Sequence, residues 1–311
     1  MKITSWVDDA VDRLILPSFS RIGPELRQRI FDWEDIDVAG RTIAITGPTS
    51  GIGLATAKTL HRLGADLILI ARNPEKVNQL KGTLAVSGQV PTVIIADLSD
   101  LATVQEAGNI LAQKPLDGLI HNGGGLHDDR LLSTDGIELT FATHVVAPFL
   151  LTSRAMPGLL LSDDARVISV SSGGLYSQRI KIDDLQTEHN YSGSAAYARS
   201  KRAQVVLTRL WAEKQSSANI SFHAMHPGWV NTPGITKALP RFSGILEPIL
   251  RTPQQGADTV VWLAGAQRSL IGSGQFWLDR RSRPSVYFPN TRTSSVDSVE
   301  LWDQVKHLAT I

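Results

Sequence analysis

Tyr197 and Lys201 stand four residues apart in the stretch Tyr197-Ala-Arg-Ser-Lys201. On a helix that spacing puts both side chains on one face. A fixed ammonium beside a phenol favours the phenolate. It therefore lowers the phenol's pKa from about 10 and equips the tyrosine to give or take a proton near neutrality. Such a pair also arises by chance in helices. A glycine-rich turn well upstream, Thr46-Gly-Pro-Thr-Ser-Gly-Ile-Gly53, gives it weight: the turn follows an apolar stretch and opens a helical pattern.

In that turn Gly47, Gly51 and Gly53 remove side chains where a backbone must approach a pyrophosphate. The helix that follows offers free N–H groups and a positive dipole end. The spacing, Gly-x-x-x-Gly-x-Gly, differs from the Gly-x-Gly-x-x-Gly fingerprint, and the lysine of a P-loop is missing. A tight strand–helix connection could look the same, but placement after the first strand favours cofactor binding. The second strand ends Ile70-Ala71-Arg72-Asn73, with no carboxylate for a ribose 2′-hydroxyl. Arg72 suits a 2′-phosphate instead and points to NADP rather than NAD; a solvated surface arginine is the plainer alternative.

The elements that must position these groups follow from the apolar pattern. Strands are predicted at Arg41–Thr46, Leu67–Ala71, Thr92–Ala96, Gly118–His121, Arg166–Ser171, Ile220–Met225 and Gln275–Leu278. Several are apolar throughout, as strands buried on both faces are. Alternating with helical patterns, they imply one α/β domain over residues 40–280, with a doubly wound parallel sheet of about seven strands and helices on both faces. Residues 1–39 read as an amphipathic helical extension. Ile3, Trp6, Val7, Ala10, Val11, Leu14 and Ile15 recur at helical spacing, with Asp8, Asp9, Asp12 and Arg13 between them. Packing against the main domain or a partner subunit is the favoured role. Weak peripheral membrane contact stays open, though three aspartates oppose binding to anionic lipid. Residues 281–311 read as a polar tail and a surface helix over Val296–Leu308.

Composition bounds the function. The 311 residues are 42% hydrophobic and carry a net charge of +1, so nothing suggests a nucleic-acid binder. The absence of cysteine removes disulfides, thiolate metal sites and cysteine nucleophiles. No apolar run approaches the ~18 residues of a spanning helix, and the aspartates interrupt any signal peptide. A cytoplasmic protein, membrane-peripheral at most, is expected. No metal site is expected: His223 and His226 would point to opposite faces of a strand, and His127 with Asp128 and Asp129 reads as a solvated loop.

Taken in order, Thr46-Gly-Pro-Thr-Ser-Gly-Ile-Gly53, Asp97-Leu98, Asn122-Gly123, Ser172, Tyr197-Ala-Arg-Ser-Lys201 and Pro227-Gly228 resemble a short-chain dehydrogenase/reductase over roughly residues 40 to 280. A closer similarity is to the branch named dehydrogenase/reductase family member 12. It rests on Val170-Ser-Ser-Gly-Gly174, Asp184-Leu-Gln186, Met225-His-Pro-Gly-Trp229, Thr232-Pro-Gly234 and Gln255-Gly-Ala-Asp-Thr259. The resemblance implies a Rossmann-like fold and NADP(H)-dependent interconversion of an alcohol and a carbonyl. Tyr197 would exchange the proton, Lys201 would hold the nicotinamide ribose and tune Tyr197, and Ser172, rather than the adjacent Ser171, would bind the substrate oxygen. The cofactor would lie on Thr46, Gly47, Ser50, Gly51, Ile52 and Gly53. Arg72, Asp97, Leu98, Asn122, Gly123, Lys201, Pro227, Gly228 and Thr232 would complete its site.

One position departs from the family pattern. Phe141-Ala-Thr-His-Val-Val-Ala-Pro-Phe-Leu-Leu-Thr152 puts His144 where the family carries a catalytic asparagine. His144 could preserve that residue's main-chain role, add a titratable group, or sit as a core histidine in an impaired enzyme. Residues 232–253, with Ile235, Ala238, Leu239, Phe242, Ile245, Leu246, Ile249 and Leu250, would by resemblance cover the substrate and suit a lipophilic one. Two classes follow: an oxidoreductase acting on a small-molecule alcohol or carbonyl, or an NADP(H)-binding regulatory or scaffold protein. Assembly as a homo-oligomer stays open.

Overall fold

The computed structural model of the protein describes residues 8, 11–12, 14–86, 88–233, 244 and 246–310. Its strands are β1 (Thr42–Thr46), β2 (Asp66–Ala71), β3 (Thr92–Ile95), β4 (Gly118–His121), β5 (Ala165–Val170), β6 (Ile220–Met225), β7 (Gln275–Leu278) and β8 (Arg281–Ser282). They form one sheet in the order β3-β2-β1-β4-β5-β6-β7-β8, parallel except for β8. Strands predicted from the sequence recur with bounds unchanged or shifted by one residue. β8 escaped that reading. It is two residues long and follows a tight hairpin in which Asp279 (φ 50°) and Arg280 (φ 58°) both take the left-handed conformation.

The main helices are α1 (Ile15–Phe19), α2 (Ile22–Ile30), α3 (Gly51–Arg62), α4 (Pro74–Ala85), α5 (Leu101–Leu111), α6 (Ala147–Leu160), α7 (Gly193–Lys214), α8 (Pro253–Gly265) and α9 (Ser295–Leu308), with single helical turns at Leu139–Phe141 and Arg268–Ile271. On one face of the sheet Ala57 and Leu60 of α3, Val77 and Leu80 of α4, and Val260 and Leu263 of α8 build a buried cluster. On the other, Val104 of α5, Leu151 of α6, Leu207 of α7 and Leu301 and Val305 of α9 build a second. All residues of β4 and β6 are buried, including Ser221 and His223, which interleave with the apolar residues of β6, so both faces of these central strands are covered. The strand order reverses between β1 and β4, and the carboxyl ends flanking that point are where such sheets place ligands.

Helix starts differ in a way that matters for the site. Asn73, Asp100, Thr252 and Ser294 cap α4, α5, α8 and α9 with their own side chains. At the start of α3, Ser50 makes no such bond. The first-turn N–H groups of α3 are left for another acceptor.

The N-terminal pattern needs a correction. Helical spacing assigns Asp8 and Asp12 to a polar face, yet both are buried under Arg27 and Arg283. Charge partners from the far end of the chain override the local pattern. Asp9, Arg13 and most of the apolar positions in that stretch lie outside the described residues. So do Ile235, Ala238, Leu239, Phe242 and Ile245 of the segment expected to cover a substrate.

Candidate active site

Thr46 ends β1 and ties it to β4. Its hydroxyl donates to the Ile120 carbonyl (3.3 Å) and accepts from the N–H groups of Asn122 and Gly123, both at 3.0 Å. Asn122 Nδ2 in turn donates to the carbonyls of Thr46 and Gly47 (3.1 Å each). Gly47 takes φ +65°, and a Cβ there would stand 2.8 Å from Gly123 Cα. No side chain fits that crossing. Gly53 packs as closely on the Gly47 carbonyl, and Gly51 faces Thr232. Thr46, Gly47, Ser50, Gly51, Ile52 and Gly53 thus form a bare backbone cradle at the uncapped start of α3.

Around it lie the other residues singled out for the cofactor. Arg72 is exposed at the end of β2 and forms no ion pair among the described residues. Asp97 follows β3 and accepts from the N–H (2.9 Å) and hydroxyl (2.8 Å) of Ser99, while Leu98 packs toward Gly123. Pro227, Gly228 and Thr232 form the loop after β6.

Tyr197 and Lys201 lie one turn apart on α7, Lys201 buried and Tyr197 half-buried. Lys201 Nζ is 5.4 Å from the Tyr197 ring centroid and donates to the Val170 carbonyl at 2.8 Å. Ser172, just past β5, caps a short 3₁₀ turn by accepting from Gly174 N (3.1 Å), and its hydroxyl is near enough to Tyr197 to favour the phenolate. The neighbouring Ser171 is committed elsewhere, its hydroxyl donating to the Lys201 carbonyl at 2.8 Å.

His144 sits in a π-helical segment, Ala142–Val146, ahead of α6. Single π turns of this kind re-aim one side chain within a helix and recur at functional sites. The imidazole stands edge-on to Tyr197 and its Nε2 is 2.8 Å from the Gly125 carbonyl. A carbonyl only accepts, so the proton is on Nε2; Nδ1 makes no hydrogen bond among the described residues. The ring lies where a Cβ on Gly124 would be, so the pair His144 and Gly124 is sterically matched.

The electrostatics correct one expectation. Burial pushes the Tyr197 phenol above its ordinary 10, opposed only by the Ser172 hydroxyl. Lys201 does not lower it, because burial also pulls the lysine down, to about 7. Desolvation weakens the ammonium that was to act on the phenol. His144 is held well below 6.5 by burial first and then by Lys201 and His127, against the Gly125 hydrogen bond. Its imidazole is neutral at physiological pH.

The structure therefore brings Ser172, Tyr197, Lys201 and His144 together and places the glycine cradle, Asn122–Gly123 and Pro227–Thr232 along the same carboxyl edge. Gly124, Gly125 and the Val170 carbonyl were missed in the sequence. The run Gly123-Gly-Gly125 was a usable signal for the first two. A main-chain acceptor such as Val170 leaves none. Phe19 and Arg251, which hold the Pro227–Thr232 loop, also lacked any local signal.

Comparison with known proteins agrees with this geometry. The sequence profile of the family described as short chain dehydrogenase matches residues 41–241. The chain is 37% identical to Dehydrogenase/reductase SDR family member 12 of Bos taurus, over 92% of this chain and 91% of that one. It is 34% identical to DnrU of Streptomyces sp. strain C5, provisionally assigned as a daunorubicin C-13 ketoreductase, with coverage of 79% and 85%. It is 32% identical to human Retinol dehydrogenase 14, with coverage of 85% and 84%. Among solved structures, an uncharacterised protein from Mycobacterium paratuberculosis superposes with a TM-score of 0.73 at 26% identity, over 90% of this chain and 98% of that one. A protein provisionally assigned as a short chain dehydrogenase from Shigella flexneri, complexed with NADP, superposes with a TM-score of 0.63 at 27% identity, over 79% and 100%. With the catalytic constellation, the cradle and this profile in agreement, the chain belongs to the short-chain dehydrogenase/reductase family.

Proposed function

We propose that the protein is an NADP(H)-dependent oxidoreductase that interconverts an alcohol and a carbonyl on a lipophilic small molecule. The observation that carries this reading is the convergence of Ser172, Tyr197 and Lys201 at the end of β5, beside the uncapped start of α3. The dinucleotide fits the residues present. The cradle admits backbone-close phosphates, and the free N–H groups of α3 suit their charge. Arg72, exposed and free of ion pairs among the described residues, suits a 2′-phosphate.

When bound, the nicotinamide supplies or accepts the hydride. The chain's part is the proton and the oxygen. Tyr197 stays protonated in its buried setting and donates to the carbonyl oxygen in reduction, or takes the hydroxyl proton in oxidation. Ser172 hydrogen-bonds the same oxygen and stabilises charge developing there. Lys201, one turn from Tyr197, holds the cofactor ribose. Asn122, Gly123, Asp97 and Leu98 line the adenosine side, and Pro227, Gly228 and Thr232 the nicotinamide side. The lipophilic substrate draws support from relatives named for retinol and for a daunorubicin ketone, and from the apolar Leu246, Ile249 and Leu250 beyond that loop.

A screen of alcohols and carbonyls following NADPH absorbance, with Tyr197→Phe as the control, tests the reading. Turnover of small polar carbonyls alone would overturn the lipophilic substrate. His144 at the asparagine position favours a second reading, an NADP(H)-binding regulatory or scaffold protein without turnover. Tight NADPH binding with no hydride transfer across a broad panel would select it.

A further inference from the structure

On either side of the stretch that matches the family, the described residues Asp8, Asp12, Ser18 and Arg27 meet Arg251, Asp279 and Arg283 in a buried clasp. Arg27 and Arg251 are among the largest fully buried side chains. Arg27 donates to Asp8 Oδ1 (2.7 Å), Asp279 Oδ2 (2.5 Å) and Ser18 Oγ (3.2 Å). Arg251 grips both oxygens of Asp279 (2.6 and 2.9 Å) and donates to the Ser18 carbonyl at 2.6 Å. Arg283 closes the set on Asp8 (2.8 Å) and Asp12 (3.4 Å). Three buried carboxylates thus meet three buried guanidiniums, the balance a desolvated cluster requires.

The clasp fixes the backbone at Ser18–Ser20, and that backbone reaches the site. The Phe19 carbonyl accepts from Trp229 N (2.7 Å) and from Arg251 Nε (3.0 Å). On its other edge the same loop is held by Arg251: its N–H donates to the Trp229 carbonyl (2.7 Å), and its carbonyl accepts from Asn231 N (2.9 Å). Gly228 takes φ +75°, and the space a Cβ would need there is filled by the Arg251 guanidinium. The Phe19 ring packs on His226 (4.5 Å between centroids) and Trp229 (5.8 Å). A Cβ on Gly173, the residue after Ser172, would come within 2.5 Å of that ring. One side chain therefore touches both the loop that follows Ser172 and the loop that carries Pro227, Gly228 and Thr232.

We propose that Phe19, seated by the arginine–aspartate clasp, is a positioning residue for the Pro227–Thr232 loop and so for the nicotinamide end of the cofactor site. The proposal rests on the reading of that loop as cofactor-binding. Burial alone would need only an apolar contact. Here main-chain groups of the loop are bonded on both edges, and it is their placement that sets the site.

The test compares wild-type protein with Phe19→Ala and Phe19→Leu, using full-length chains. NADPH affinity is read from energy transfer out of tryptophan, and amide hydrogen exchange is followed by segment. Phe19→Ala is expected to weaken NADPH binding about tenfold. Faster exchange should be confined to Trp229, Asn231, Arg251 and residues 18–21, with β1, β2 and β4 unchanged. Phe19→Leu keeps the site apolar and filled, and should recover most of both readouts. Wild-type affinity in a folded Phe19→Ala protein overturns the proposal, and so does a rise in exchange spread evenly over the sheet. If Phe19→Ala does not fold, Phe19→Leu must still show a local rise at Trp229 and Asn231, and no rise overturns it. Failure of the wild-type protein to bind NADPH would overturn the cofactor reading together with what rests on it. Normal wild-type binding with unaffected Phe19 variants overturns the positioning role alone.

Discussion

The rings of His144 and Tyr197 meet edge to face, with centroids 5.3 Å apart and planes at 87°. The imidazole that buttresses the tyrosine is itself locked by the Gly125 carbonyl and by the absence of a side chain on Gly124. His144 is thereby placed to hold the phenol in position while staying neutral at physiological pH.

That arrangement gives a signed expectation. Because burial holds the imidazole neutral near physiological pH, the pH–rate profile of the wild-type protein should carry no inflection from His144 at the ordinary histidine value of 6.5. His144→Asn should change the rate while leaving the profile's shape intact. An inflection present in the wild type and lost in His144→Asn would contradict the neutral assignment.

Tyr197→Phe removes the proposed proton donor and nothing of the cradle. Turnover should fall by about 10²- to 10⁴-fold. NADPH affinity, measured by fluorescence titration, should stay close to wild type. Retained turnover would move the proton to another group.

Lys201 supplies a second pH dependence. Burial pulls it to about 7, so it loses its charge as pH rises through that value. An anionic dinucleotide favours the ammonium, so binding above pH 7 takes up a proton and affinity falls with rising pH. Titration calorimetry between pH 7 and 9, in buffers of differing ionisation enthalpy, would show the uptake. Affinity independent of pH across that range would exclude it.

Arg72→Ala should weaken NADPH by about tenfold while leaving NADH nearly unchanged, because only the former offers a phosphate for a charge-assisted hydrogen bond. Equal losses for the two cofactors would place the 2′-phosphate elsewhere.

The clasp has its own acid limit. Burial pushes the Asp8 and Asp279 carboxyls up. For Asp8 the Arg283 and Arg27 guanidiniums outweigh it, and for Asp279 those of Arg251 and Arg27 do, holding both below the ordinary 3.8. A depressed carboxylate contributes stability that is present above its unfolded pKa and lost as pH falls through the folded one. Urea denaturation should therefore show the contribution intact at pH 7 and failing below about pH 4. Arg27→Ala leaves buried carboxylates without a partner and should cost about 3–5 kcal/mol.

How much of this was legible in the sequence depended on how local the cause was. β4, β6 and β7 were readable to the residue because each is a short run rich in β-forming or apolar residues between turn or loop segments, a signal carried within the strand itself. The glycine cradle and the Tyr197–Lys201 pair were readable because each motif lies within a short stretch of chain, although the neighbours that demand Gly47 and Gly51, namely Gly123 and Thr232, are distant in sequence. The burial of Asp8 was not, since Arg27 lies 19 residues away and Arg283 lies 275 residues away. The direction of the Tyr197 shift was misread for a related reason. Spacing tells which groups are neighbours but not how much water has been removed from both. The π turn that aims His144 left no mark in the residue pattern.

The span of the clasp also orders events during synthesis. Arg27 and its partner Asp279 are separated by 252 residues, with every strand from β1 to β7 between them. Contacts so distant along the chain form only after the loop between them has been closed. On the ribosome Asp8, Asp12 and Arg27 emerge before any strand of the sheet and must wait, hydrated, until Asp279 and Arg283 arrive. Closure of the clasp is then a late event, since Asp279 and Arg283 follow all seven parallel strands of the sheet.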